Sequence, residues 1–153
     1  MQDHLVGKRL REYVILDCIG KGGMAKVYKA RHTLLSEIRA IKFLRSELME
    51  RNEFIARFHR EAQILVRLRH RHLVMLHEFG TLGKDLLFIV MEFLQGESLR
   101  KRLRRQGWIP VSETLKIAKQ VSLGLAAAHQ QGIVHRDISP DNIFLVPEGE
   151  EEV

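Results

Sequence analysis

The interpretation of this chain starts from the stretch His135-Arg136-Asp137-Ile138-Ser139-Pro140-Asp141-Asn142. Pro140 lacks a backbone N–H and biases Ser139 away from helical conformation, so the stretch is predicted to be a loop. It places carboxylates, an imidazole and an amide between apolar segments, where catalytic residues often lie. Asp137 and Asn142 could present a proton acceptor and a metal-binding amide oxygen to one substrate. For this stretch alone, a polar turn is the simpler interpretation.

Bulk composition indicates a folded globular protein. Of 153 residues, 45% are hydrophobic and 29% are charged. No run of eighteen apolar residues and no signal-peptide pattern at Met1–Leu10 is present, so we expect a soluble, cytoplasmic product without a membrane segment. Cys18 is the only cysteine, which excludes an intrachain disulfide and favours a buried structural thiol.

The net charge of +6 raises the question of a nucleic-acid partner. The most basic stretch, Arg100–Arg105, is typical of a solvated helix face. It could also contact an acidic peptide or a further part of the same fold. No aromatic side chains are interleaved with it to stack bases, so we expect no nucleic-acid partner.

A glycine-rich segment lies between two predicted strands near the N-terminus. The β-rich run Tyr13–Ile19 ends at Gly20, and strand-like alternation resumes at Lys26–Ala30. Walker and dinucleotide loops lead into helices, so the strand that follows argues against both. Gly20 and Gly22 would let backbone N–H groups approach phosphates closely, because no Cβ intervenes. A plain glycine hairpin is the alternative.

A lysine and a glutamate occupy apolar faces of neighbouring elements. Lys42 shares one face of the strand Ala40–Leu44 with apolar residues. The apolar period predicts a helix over Ser46–Arg69, with Glu61 inside its apolar stripe. An unpaired, desolvated carboxylate there would be costly, so we expect Glu61 to pair with Lys42, although snorkelling of the lysine is the simpler alternative.

The remaining patterns predict two more strands and two helices, which makes the fold class α+β with a five-stranded antiparallel sheet. The strands are Leu73–Phe79 and Leu86–Leu94, and the first helix is Glu97–Arg105. The second helix follows a Ser112 cap and ends at Gln131-Gly132. Its predicted buried stripe is Val111, Leu115, Ala118, Val121, Leu125 and Ala128.

Taken in order, these segments resemble the protein kinase family. The loop resembles the catalytic motif H-R-D-L-x-x-x-N, with Ile138 in the leucine position. Ile19–Val27 resembles the glycine-rich loop, and Ala40-Ile41-Lys42 resembles the V-A-I-K strand. Glu61 matches the helix-C glutamate, and Val90–Leu94 resembles the gatekeeper and hinge. The residues of these motifs are most similar to those of bacterial Ser/Thr kinases.

The resemblance implies a kinase-like N-lobe followed by part of a C-lobe. The implied division is an extension at 1–12, an N-lobe at 13–94 with the five-stranded sheet and helix C, and the hinge with a truncated C-lobe at 95–153. No Asp-Phe-Gly motif occurs in the sequence. We therefore expect the chain to be the N-terminal part of a catalytic domain.

The resemblance also implies ATP and Mg²⁺ as cofactors and a protein Ser or Thr as substrate. Asp137 would accept the substrate hydroxyl proton, and Asn142 would hold one Mg²⁺. Lys42 would grip the ATP phosphates, and Glu61 would fix Lys42. Met91 would be the gatekeeper. The implied nucleotide-binding residues are Ile19, Gly20, Gly22, Val27, Ala40, Lys42, Met91, Glu92, Leu94 and Phe144.

The chain departs from the family pattern in ways that reduce its expected activity. Ser139 stands where Ser/Thr kinases usually have a lysine at the γ-phosphate, and the Asp-Phe-Gly motif is absent. Ala25 replaces the third glycine, which would make the glycine-rich loop slightly stiffer. We therefore expect a Ser/Thr kinase domain that is weak or inactive alone. The alternative is a pseudokinase-like module that binds nucleotide or a protein partner without catalysis. That partner would dock on the exposed apolar surface of the Ser112–Gln131 helix.

Overall fold

The computed structural model describes residues 4–22, 25–44, 62–83 and 86–147. The chain divides into two compact units. The first comprises Met1–Arg69 and Val74–Phe93, and the second comprises His70–Leu73 and Leu94–Val153. The division into 1–12, 13–94 and 95–153 stays a prediction.

The first unit contains an antiparallel sheet of six strands in the order β1-β2-β3-β4-β6-β5. The α+β class is thus confirmed, with one strand more than the five predicted. The strands are β1 Arg9–Leu10, β2 Tyr13–Lys21, β3 Ala25–His32, β4 Ile38–Leu44, β5 Leu76–Leu82 and β6 Leu86–Glu92.

The extra strand β1 lies within the stretch predicted to be an N-terminal extension. It pairs with β2 through Arg9↔Val14 and Leu10↔Tyr13. Leu10 is 6% exposed and joins the core, so burial holds this two-residue strand in place. Two residues are too few for an alternating pattern to be recognised in the sequence.

Side-chain alternation places the main hydrophobic core on one face of this sheet. In the registers Tyr28↔Ile41↔Val90 and Phe43↔Phe88, directly opposite residues share a face. Tyr28, Ile41, Phe88 and Val90 are 0% exposed, and the rings of Tyr28 and Phe43 meet edge to face with centroids 5.5 Å apart. This face is the hydrophobic core of the first unit.

The start of β5 and the end of β6 differ from the prediction. The strand predicted from Leu73 begins at Leu76, because the preceding residues form a turn in which the Leu73 N–H donates to the His70 carbonyl. β6 ends at Glu92, two residues earlier than predicted. Residues 62–67 form the helix α1, in agreement with the predicted helical period. The remainder of that helix prediction up to residue 61, with Glu61, lies outside the described residues.

The second unit contains two helices and a small antiparallel ladder. The elements are β7 Glu97–Ser98, α2 Leu99–Gln106, α3 Val111–Gln130 and β8 Phe144–Leu145. The Ser98 hydroxyl caps α2 by accepting the Lys101 N–H at 3.2 Å. Gly107 ends α2 with φ 79°, and its N–H donates to the Leu103 carbonyl.

Helix α3 buries only the C-terminal part of the predicted stripe, with Ala128 buried and Val121 and Leu125 half-buried. It begins at Val111 after Pro110, without a side-chain cap from Ser112. Val111 and Leu115 are 76% and 65% exposed, and Ala118 is exposed as well, whereas the buried positions are Gly124 and Ala128. A Cβ at Gly124 would lie 2.8 Å from the His72 carbonyl oxygen, so the glycine permits this close packing. The protein partner expected on the exposed face stays a prediction.

Candidate active site

The glycine-rich turn joins β2 to β3 in the first unit. Gly20 lies opposite Val27, and the Gly22 N–H donates to the Ala25 carbonyl at 2.8 Å. Neither glycine has positive φ. A Cβ at Gly20 would meet Val27 Cβ at 3.4 Å, and one at Gly22 would meet the Ala25 oxygen at 3.5 Å, which are ordinary contacts. Among the described residues, no atom excludes a side chain at Gly20 or Gly22.

Lys42 lies on the sheet face opposite the hydrophobic core. It is opposite Val27 on β3 and Ile89 on β6, and Ala40 is opposite Met91. Val27, Ala40, Lys42 and Met91 therefore share one face. Lys42 forms no ion pair with a described residue, and its predicted partner Glu61 is not described. Ile19, which precedes Gly20 in β2, is 46% exposed.

At the end of β6, Glu92 holds the start of the neighbouring strand. Its N–H donates to the Met75 carbonyl at 2.9 Å, and its Oε1 accepts the Met75 N–H at 2.7 Å. The Lys29 ammonium lies 5.0 Å from the centroid of the Phe93 ring. Leu94 belongs to the second unit and forms no hydrogen bond with a described residue. The backbone N–H and carbonyl of Leu94 are thus available to hydrogen-bond a ligand.

The loop that decided the sequence interpretation brings Asp137 and Asn142 into direct contact. Asn142 Nδ2 donates to the Asp137 carbonyl and to Asp137 Oδ2, both at 2.9 Å. The Asp137 N–H donates to His135 Nδ1 at 3.2 Å, and the Asn142 N–H donates to the Ser139 carbonyl at 3.0 Å. Both side chains are exposed. Asp137 Oδ1 and Asn142 Oδ1 accept no hydrogen bond from a described residue, so both oxygens are available.

Helix α2 anchors this loop within the second unit. The Leu99 N–H donates to the Ile143 carbonyl at 2.8 Å, and the Arg100 N–H donates to the Pro140 carbonyl at 2.9 Å. Arg100 Nε also pairs with Asp141 Oδ2 at 3.3 Å. The first N–H groups of a helix have no partner inside the helix, and here two of them hold the loop.

The β7–β8 ladder fixes the chain immediately after the loop. Glu97 lies opposite Leu145 and Ser98 lies opposite Phe144. A Cβ at Gly96 would lie 2.0 Å from the Leu145 carbonyl oxygen, so only glycine allows this approach. Phe144, predicted to contact the nucleotide base, is 41% exposed.

The sequence analysis did not identify the ion pairs that α2 forms with Glu97 and Glu113. Glu97 accepts hydrogen bonds from Arg102 Nε and Arg105 Nη2, each at 2.6 Å, and these bonds lower the pKa of the Glu97 carboxyl. Arg102 also pairs with Glu113 at 3.0 Å. The sequence signal for these ion pairs was the acidic Glu97 shortly before the arginine-rich stretch Arg100–Arg105.

Comparison with known proteins agrees with this arrangement of motifs. The protein kinase domain family matches residues 13–152, and the chain therefore belongs to the protein kinase family. Members of this family use ATP and Mg²⁺ and act on protein substrates. No helix in the described ranges is long and apolar enough to cross a membrane.

The chain is similar to bacterial serine/threonine kinases, as the residues of its motifs predicted. It is 43% identical over 142 residues to the serine/threonine-protein kinase PrkC of Bacillus subtilis, covering 92% of this chain and 22% of that protein. It is 36% identical over 146 residues to the serine/threonine-protein kinase pkn3 of Myxococcus xanthus, covering 95% and 27%. Among solved structures, it is similar to the Mycobacterium tuberculosis PknI kinase domain, with TM-score 0.81, 31% identity and coverage of 92% and 57%.

Proposed function

We propose that this chain forms the nucleotide-binding and catalytic-loop portion of a Ser/Thr protein kinase, which transfers the γ-phosphoryl group of ATP to a protein hydroxyl. The chain spans about a fifth to a quarter of its curated relatives and 57% of a solved kinase domain. It also contains no Asp-Phe-Gly motif. We expect the 153 residues alone to bind nucleotide with little turnover.

The paired contact between Asp137 and Asn142 carries this proposal. One amide holds both the backbone and the carboxylate of Asp137, which fixes the direction of the remaining oxygen, Oδ1. A positioned, exposed carboxylate is suited to accept the proton of a substrate hydroxyl. The backbone N–H groups of Leu99 and Arg100 donate to the loop and hold it in place. This supports the proposal, because phosphoryl transfer depends mainly on positioning.

Asn142 also fits the role of a magnesium ligand. Its amide nitrogen is committed to Asp137, and its oxygen is left available. Mg²⁺ commonly takes one or two protein oxygens together with substrate phosphates, so a dedicated protein cage is unnecessary. In the part of the chain that the structure describes, no group of three or more His, Cys, Asp or Glu residues could hold a metal ion. When bound, Mg²⁺ supplies neutralisation of the phosphate charge.

Nucleotide binding is assigned to the sheet face that carries Lys42. Val27, Ala40 and Met91 offer apolar contact for a purine, and the Lys42 ammonium offers charge for phosphates. Gly20 and Gly22, at which no described atom excludes a side chain, leave room for phosphates near the backbone. The backbone of Glu92 and Leu94, with Ile19 and Phe144, completes the proposed set.

Ser139 reduces the expected rate of transfer. The usual lysine at this position carries a positive charge to the γ-phosphate, whereas a hydroxyl is neutral. The Ser139 backbone carbonyl accepts the Asn142 N–H, so Ser139 still supports the loop. The proposal therefore separates nucleotide binding, which we expect to be retained, from turnover, which we expect to be slow.

Thermal unfolding with and without Mg-ATP tests the nucleotide site directly. A ligand that binds only the folded state stabilises it by about 2.7 kcal/mol at one hundred times its Kd, so Tm should rise by several degrees. Lys42→Ala should abolish most of this rise, because the phosphates lose their cation. Lys8→Ala, which removes an exposed lysine in the same unit, should keep it. An equal rise in wild type and Lys42→Ala would overturn the assignment.

A further inference from the structure

Helix α2 carries an exposed group of cations beside the catalytic loop. Five of its eight residues are Arg or Lys, from Arg100 to Arg105. Three carboxylates neutralise part of this charge. Glu97 pairs with both Arg102 and Arg105. Glu113 also pairs with Arg102, and Asp141 pairs with Arg100.

Two of these cations remain without a carboxylate. In the described ranges, Lys101 and Arg104 form no ion pair, and both lie on the helix surface beside Arg100. Arg104 is four residues after Arg100 and three after Lys101, so its side chain is a neighbour of both. Arg105 is 56% exposed and adds to the same surface. We call Arg100, Lys101, Arg104 and Arg105 the basic patch.

The basic patch is joined to the loop that contains Asp137. Arg100 contacts the loop at Asp141 and, through its backbone N–H, at Pro140. Asn142, the residue after Asp141, donates to Asp137 Oδ2 at 2.9 Å, so Asp141 lies close to Asp137. A peptide segment that reaches Asp137 is therefore within a few residues of the basic patch.

We propose that the basic patch binds an acidic segment of the protein substrate, close to the phosphorylated residue. The inference rests on the proposed kinase function and adds a specificity to it. Carboxylates that could attract a basic peptide, Glu97 and Asp141, are already paired with arginines of α2. The charge left for a substrate is positive, so acidic residues are favoured and basic residues are repelled.

Binding of labelled short peptides, followed by fluorescence anisotropy, tests this specificity without requiring catalysis. The probes are a Ser-containing peptide rich in Glu and the same peptide with Gln or Lys replacing Glu. The Glu peptide should bind most tightly, and its affinity should fall at high salt. In Lys101→Gln/Arg104→Gln its affinity should fall about fivefold, as expected from the loss of two exposed ion pairs.

A variant with the same net charge provides the control. Lys8→Gln/Lys119→Gln removes two lysines elsewhere on the chain and should bind the Glu peptide like wild type. Equal losses in both double variants, or equal affinity for the Glu and Gln peptides, would overturn the inference. Equal competition by a single-stranded DNA of matched charge would also overturn it, because the patch would then bind any polyanion.

The two proposals fail in different ways. A Mg-ATP shift in Tm without preference for the Glu peptide would retain the nucleotide site and reject the acidic specificity. Preference for the Glu peptide without a Mg-ATP shift would reject the kinase function, and with it the claim that the bound segment is a substrate.

Discussion

Gly96→Ala should destabilise the second unit strongly, because the β7–β8 ladder leaves no room for a Cβ. The added atom would lie 2.0 Å from the Leu145 carbonyl oxygen and 3.0 Å from its carbon. These are backbone atoms, so a side-chain rotation cannot relieve the overlap. The ladder must separate, and its two residue pairs are Glu97↔Leu145 and Ser98↔Phe144.

The expected loss of stability follows from two contributions. Loss of about two ladder hydrogen bonds costs on the order of 1 kcal/mol each. An alanine at φ 157° adds about 1 kcal/mol of backbone strain. We therefore expect a decrease of about 3 kcal/mol in the free energy of unfolding.

Urea unfolding followed by circular dichroism measures this decrease, and Gly107→Ala is the matched control. Gly107 also has positive φ, at 79°, but a Cβ there would meet no atom within 4 Å. Its substitution should cost only about 1 kcal/mol of backbone strain. If the two variants unfold at the same urea concentration, the close approach of Gly96 to Leu145 is refuted.

Two further predictions concern the loop and the sheet. Asn142→Ala should leave the free energy of unfolding within about 0.5 kcal/mol of wild type, since the residue is exposed. It should nevertheless reduce the extra Tm rise that Mg²⁺ gives to ATP, and an unchanged Mg²⁺ effect would contradict the assigned ligand. Burial lowers the pKa of His77 from 6.5, and the charge of Arg39 is the next largest cause. The buried Nε2 of His77 has no hydrogen-bond partner in the described ranges. The unfolded chain therefore binds more protons just below pH 6.5, so stability falls as the pH drops through this range. His77→Gln should show a smaller loss on acidification in urea unfolding at several pH values, and an equal loss would exclude His77 as a source.

Local sequence patterns predicted five of the six strands of the sheet and the faces on which their residues lie. The alternation in Ala40–Leu44 predicted that Ala40, Lys42 and Leu44 share one face, and the structure buries Ile41 and Phe43 on the other side. This worked because side-chain direction in a strand has a period of two and depends only on neighbours along the chain. The candidate catalytic motif could likewise be recognised from local sequence, since Asp137 and Asn142 are only five residues apart.

The buried face of α3 was decided by packing rather than by its own apolar pattern. Apolar residues occur around most of this helix, so several stripes were compatible with its sequence. The structure selects the stripe containing Gly124, because only a glycine admits the His72 carbonyl at this distance. Leu115, which belonged to the predicted stripe, is therefore exposed.

By itself, the sequence determined the family, the order of its motifs and the residue types at the candidate site. Only the tertiary structure decided which charges of α2 are neutralised by the described carboxylates. Arg100 and Asp141 are 41 residues apart, and no local period relates them. Their pairing depends on α2 packing against the loop, and long-range contacts of this kind follow from the folded arrangement of elements.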